Sequence, residues 1–226
     1  PTGEVAREIS VPLRGENTVS FLLEQTQITV YTQIADVSSG SQFIFMRFEN
    51  PMSGIWRILI RNSLDIRETF HIWLPVRGFI SDETYFLRPD PDTTITDPGN
   101  ARYPITVTAY DHTKNSIYIH ASRGYSLSGR IKPDLAAPGV NILGASVSGR
   151  RLTRMSGTSV SAAHLAGAAA ILLNWGVLNA NYPYLNTPVL KSIFVRGAQR
   201  NPALTYPNRE FGYCLLYTSD AADEAR

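Results

Sequence analysis

The chain has 226 residues, 43% of them hydrophobic and 18% charged, with 21 basic against 19 acidic side chains and a formal net charge of +2. At roughly 150 residues per domain this makes one or two domains with room for a sizeable core, and 10% aromatics at so low a charge exclude intrinsic disorder. A polybasic nucleic-acid binder is excluded as well, because the arginines are scattered and no run of five like charges occurs.

From the front, Pro1-Thr2-Gly3-Glu4-Val5 has neither an initiator residue nor a leader pattern, so the expectation is a polypeptide that continues upstream. Residues 1–98 read as β-structure. Runs of β-branched and aromatic residues occur at Ile28–Thr32, Phe43–Phe48, Ile55–Ile60 and Phe70–Leu74, separated by turn formers at 38–41, 50–54 and 61–63. Short strands at such spacing predict an antiparallel sandwich of jelly-roll type. Pro89-Asp90-Pro91-Asp92 and Thr96-Asp97-Pro98-Gly99 then break the pattern, which places a module boundary at 98/99.

Beyond the boundary the texture becomes α/β. Ile105–Ala109 predicts a strand, 133–140 an irregular loop and Asn141–Ala145 a second strand. Gly157–Leu178 predicts a helix so dense in small apolar residues that it should be buried all round. Its longest apolar run, Leu165–Leu173, is well short of the roughly 20 residues of a membrane span. A second helix starts at Thr187-Pro188, read as an N-cap followed by proline, and stops near Gly197. Strands alternating with helices define an α/β layer. The module over 99–213 closes before a tail, 214–226, that resembles the translation of a transposon-type sequencing adapter and is set aside from the fold. Cys214, the single cysteine, belongs to that tail, so no internal disulfide forms.

One segment carries chemistry: Gly157-Thr158-Ser159-Val160-Ser161-Ala162-Ala163-His164-Leu165-Ala166-Gly167. Ser159 stands where a loop enters a helix, with unpaired N–H groups and the positive end of the dipole beside it. An acyl-transfer nucleophile needs such a place, although a serine there is by itself more often a simple cap. Three further stretches extend the pattern. The segment resembles the serine motif of the subtilisin-like proteases, the subtilases, with Ala163 where that motif has proline. Lys132–Val140, with Pro138-Gly139, is similar to the family's Pro-Asp-x-x-Ala-Pro-Gly stretch. Pro104–Asp111 resembles the strand before it, and Tyr206–Tyr213 the closing glycine segment. The β-rich first part resembles the jelly-roll insertion of clostridial spore-germination subtilases.

The resemblance implies the C-terminal half of a parallel-sheet catalytic domain, an acyl-enzyme on Ser159, and Gly157 and Thr158 shaping the oxyanion site. It implies structural roles for His164, Pro138 and Gly139. It also implies a peptide or protein substrate, a prosegment as a further partner and no cofactor for the chemistry; calcium often stabilises the family, but these residues show no ligand cluster for a metal. The family order is Asp, His, Ser, so the base and its orienting acid are expected upstream of residue 1. The histidines agree with this: His71, His112 and His120 lack the motif of the family's base, and His164 lies five residues, or about 140°, around the helix from Ser159. Asp36 is followed by Val37-Ser38 rather than the Ser/Thr-Gly expected after the family's catalytic aspartate, Asp82, Asp90, Asp92, Asp97 and Asp111 read as turn residues, and Asp134 as a capping or bracing loop residue. Asn17, Asn50, Asn62, Asn100 and Asn115 lack the context of the oxyanion asparagine. Trp56 and Trp73 read as core, and Arg150–Arg154 as a solvated loop. The competing reading is a pseudoprotease that binds without cutting. A β-module acting in adhesion or carbohydrate binding leaves residues 100–213 unexplained. Location is not legible in the residues; the resemblance implies a secreted or spore-associated protein.

Overall fold

The computed structural model describes residues 1–6, 8–9, 14–36, 41–61, 69–76, 78–147, 149 and 151–216, and the chain forms two compact units, Pro1–Phe70 and His71–Arg226.

In the first unit, β1 (Gly15–Ser20), β2 (Gln27–Asp36) and β3 (Ser41–Glu49) form one antiparallel sheet in that order. Tyr31 stands opposite Phe45 and Ile28 opposite Phe48, the β-branched and aromatic pairing that steadies such ladders. Thr26, almost fully buried, ties the ends of the sheet together. Its hydroxyl donates to Glu24 and Asn50 O, and accepts from the Met52 N–H at 3.0 Å. Trp56 sits edge-on between Phe21 and Phe48. The runs at 55–60 and 70–74, expected as strands, form none. Their side chains are largely exposed, and no second sheet occurs among the described residues of this unit. Apolar alternation supplies a face, but a strand also needs a neighbouring backbone to pair with.

In the second unit, β4 (Val107–Asp111) runs parallel to β6 (Leu135–Pro138), with Val107 opposite Leu135, and short β5 (Ser116–Ile117) pairs antiparallel on its other side. A hairpin, β7 (Ile142–Ala145) with β8 (Leu152–Met155), leads into α1 (Thr158–Leu173), which ends in a π-helical turn, Asn174–Leu178. The expected loop at 150–154 is therefore partly a strand, with the Arg154 guanidinium donating to Asn141 O; Arg150 lies outside the described residues. Helix α2 (Thr187–Gly197) is capped one residue earlier than expected. Asn186 accepts from the Val189 N–H, and Pro188 sits in the first turn, where its missing donor costs nothing.

Two core clusters hold this unit. Leu135, Leu165, Leu190, Phe194 and Cys214 form one; Tyr110, Ala136, Phe211 and Leu215 form the other. Residues 214–216 are thus packed into the fold, contrary to their exclusion from the sequence pattern. Cys214 O accepts from Ala136 N–H, and Leu215 exchanges both backbone bonds with Gln199; 217–226 lie outside the described residues. Residues 71–98 also belong to this unit, 28 residues before the boundary expected at 98/99. Trp73 Nε1 donates to Thr93 O, and Thr93 and Thr94 donate to Gly124 O and Arg123 O.

Candidate active site

The chain leaves β6 at Pro138-Gly139, makes the β7–β8 excursion and returns at Gly157. The two ends are joined there, with Gly157 N–H donating to Gly139 O at 2.8 Å and Gly139 N–H to Tyr110 O at 3.0 Å. Gly139 has no room for a side chain: a Cβ would collide with Ser161 Oγ and sit 2.7 Å from Ala109 Cβ. Gly157 caps α1 with φ 156° and ψ 162°, a conformation essentially reserved for glycine. It carries no capping side chain; Val160 and Ser161 N–H turn back to Gly157 O, and the Thr158 and Ser159 N–H groups are left without a partner among the described residues.

Two side chains fasten the helix to the strand. Ser161, fully buried, donates to Ala137 O at 2.9 Å, and one turn on His164 Nδ1 donates to Pro138 O at 2.9 Å. A carbonyl only accepts, so Nδ1 is the protonated nitrogen of that ring. Ser159 precedes Ser161 by two residues, about 200° around the helix, and the bond that buries one hydroxyl turns the other outward. Ser159 is exposed, with no hydrogen-bond partner among the described residues, and Thr158 beside it is exposed too. The positioning role of Ser161 was not legible in the sequence. Its one signal is a second hydroxyl at i+2 among alanines.

The helix itself departs from expectation. Only Ser161 and Leu165 are buried, while Ser159, Ala162, Ala163, Ala166, Gly167 and Ala170 form an exposed stripe. Small apolar residues all round make a helix that can be buried on every face; in this unit only one face has something against it. Thr158–Leu178 is also, over 21 residues at mean hydropathy 1.4, long and apolar enough by length and composition to cross a bilayer. That exceeds the Leu165–Leu173 run considered from the sequence.

The other ionisable groups do not converge on Ser159. His71 and Trp73 stack on each other, exposed and outside any strand; His120 lies edge-on to Tyr118 in a turn; His112 is exposed. Asp111 accepts from the Thr113 hydroxyl and N–H, and the hydroxyl bond holds its carboxyl below the usual value. Asp92 pairs with Arg209 and caps with Asp90 a local turn. Asn100 donates its amide to Ile95 O. Asp134 is fully buried and braces the loop: Oδ2 accepts from Thr106 N–H at 2.7 Å and from Lys132 Nζ at 2.8 Å, and Lys191 Nζ meets Oδ1. Among the described residues no group of three or more His, Cys, Asp or Glu side chains is placed to hold a metal.

This junction of a Pro-Gly strand end with a Gly-Thr-Ser helix start sits on an α/β layer. Residues 87–214 match the peptidase S8 subtilase family, and the chain belongs to it. The C5a peptidase of Streptococcus pyogenes is 42% identical over 96 residues, 42% of this chain and 8% of that protein. The serine protease AprX of Bacillus subtilis is 35% identical over 103 residues, 37% of this chain and 23% of that protein. The structure of the Clostridium perfringens CspB protease superposes on 95% of this chain and 45% of its own, with a TM-score of 0.81 and 29% identity. The chain therefore spans less than half the length of each of these relatives.

Proposed function

We propose that this chain is the nucleophile-bearing part of a serine endopeptidase that hydrolyses peptide bonds through an acyl-enzyme on Ser159. The observation that carries the reading is the outward Ser159 hydroxyl at an uncapped helix start, held there by Ser161 and His164. Ser159 Oγ attacks the peptide carbonyl, and the Ser159 backbone N–H meets the developing oxyanion. Gly157 and Thr158 shape that turn. The histidine that takes the serine proton, the aspartate that orients it and the oxyanion asparagine come from chain preceding residue 1. The same upstream part covers the alanine stripe of α1, whose small side chains allow close approach. The first unit, Pro1–Phe70, belongs to a β-rich insertion ahead of the serine motif, and the likeness to CspB over nearly the whole chain supports that. Proteins or peptides are the substrates.

A serine without its histidine is a poor nucleophile, and in subtilisin that loss costs on the order of 10⁶ in kcat. The 226-residue chain alone is therefore expected to be inert. A fluorophosphonate probe should leave it unlabelled, label the protein extended by its upstream coding sequence at Ser159, and fail on the Ser159→Ala form. An extended protein that stays unlabelled and cleaves no peptide is the pseudoprotease instead.

A further inference from the structure

Nothing in the composition of α1 tells one face from another. Leu165 is buried and Leu172 packs beside it on the core, yet Ile171 and Leu173, on either side of Leu172, are exposed. Ala168 and Ala169 pack on the same core, while Ala162, Ala163, Ala166 and Ala170 carry the same side chain outside. An amphipathic helix is turned into place by its apolar stripe. In α1 one rotation buries nearly as much apolar surface as another, so the choice falls to directional bonds. Ser161 makes one of them. It is fully buried, and its Oγ donates to Ala137 O at 2.9 Å. The same oxygen fills the space that a Cβ on residue 139 would take, so Gly139 lets the hydroxyl reach the strand.

A side-chain oxygen in the first turn stands roughly 4 Å from the helix axis, so a rotation of about 15° carries it about 1 Å. A misplacement of that size at a reacting atom costs on the order of 100-fold in rate. We infer that Ser161 is a positioning residue for the proposed reaction: its hydroxyl fixes the rotation of α1, and with it the place of Ser159 Oγ. Ser161 is buried on the side away from Ser159, and it acts only through that neighbour. The inference rests on the acyl-transfer reading above and adds to it a residue that serves the chemical step and not the binding of substrate. His164 Nδ1 holds Pro138 O one turn further on. Without the Ser161 bond the first turn is therefore free to shift while the helix stays docked.

The test uses the protein extended upstream and one cleavable peptide. Ser161→Ala, which removes the donor at a position where alanine suits the helix, should lower kcat by about 10- to 100-fold and leave KM within about twofold. The rate constant of fluorophosphonate labelling at Ser159 should fall in parallel, while labelling still runs to completion and so counts the folded protein. Ser161→Cys, close in shape but a weaker donor, should lie between wild type and Ser161→Ala; it carries the same test where the alanine form does not fold. Leu165→Ala removes packing from the same buried face but no directional bond. It should lower the thermal midpoint more than Ser161→Ala does and keep kcat within about threefold. An unchanged kcat in the Ser161 variants, a loss confined to KM, or an equal loss of kcat in Leu165→Ala overturns the inference, while labelling of Ser159 still upholds the protease. An extended protein that is neither labelled nor active removes the acyl-transfer reading, and the inference with it.

Discussion

Lys132, Asp134 and Lys191 show how one carboxylate can organise a loop. Asp134 is wholly inside, and two ammonium groups and a backbone N–H surround it. Removing one member of a buried pair strands the others, a loss of about 3–5 kcal/mol. Asp134→Ala should lower unfolding stability by that amount in urea titration, and an effect below about 1 kcal/mol, the range of surface pairs, would deny the brace. Cys214 gives a pH signature. Burial pushes its thiol up to about 11 from an ordinary 9.0, against a weaker pull from Arg200. Below pH 9.0 folded and unfolded chains both keep the proton, and the contribution of the buried thiol is intact. As pH climbs from 9.0 toward 11 only the unfolded chain ionises, so stability falls. Denaturation midpoints should drop over that interval, and less so in Cys214→Ala. Tyr206, raised chiefly by desolvation, adds to the same trend above pH 10.0.

The elements owe their ends to single residues. Helix α2 begins where Asn186 can reach the Val189 N–H, and Pro188 fits the first turn behind it. Asn186→Ala should cost about 1 kcal/mol, read as a shift in thermal midpoint with unchanged unfolding slope. Helix α1 has no such cap; glycine at 157 leaves its first turn open, and stability comes instead from Ser161 and His164 on the β6 carbonyls. Both helices were legible in sequence, because period and punctuation act locally. The strands were legible only in part. β2, β3, β4 and β7 overlie their apolar runs, but 55–60 and 70–74 have the same texture and no strand partner among the described residues. β1, β6 and β8 went unforeseen: Gly15–Ser20 is polar, Leu135–Pro138 lies in the stretch expected as an irregular loop, and Leu152–Met155 overlaps the arginine cluster expected as a solvated loop.

At the scale of the whole molecule the alanine stripe of α1 is the telling surface. Ala166 is exposed in this chain, so Ala166→Arg should change its stability by less than about 0.5 kcal/mol. In the protein extended upstream the same substitution should abolish fluorophosphonate labelling, since a charge would be buried against a closely packed neighbour. Equal tolerance in both would place the missing half elsewhere. The residue types of the proposed site were legible in sequence alone, since Gly157-Thr158-Ser159, Pro138-Gly139 and the two helices are local patterns with local physical causes. Only tertiary structure decided that Ser161 is buried so that Ser159 faces out, and that Cys214 and Leu215 join the core. Those facts depend on which backbone lies across from each side chain, and residues far apart in the chain supply it.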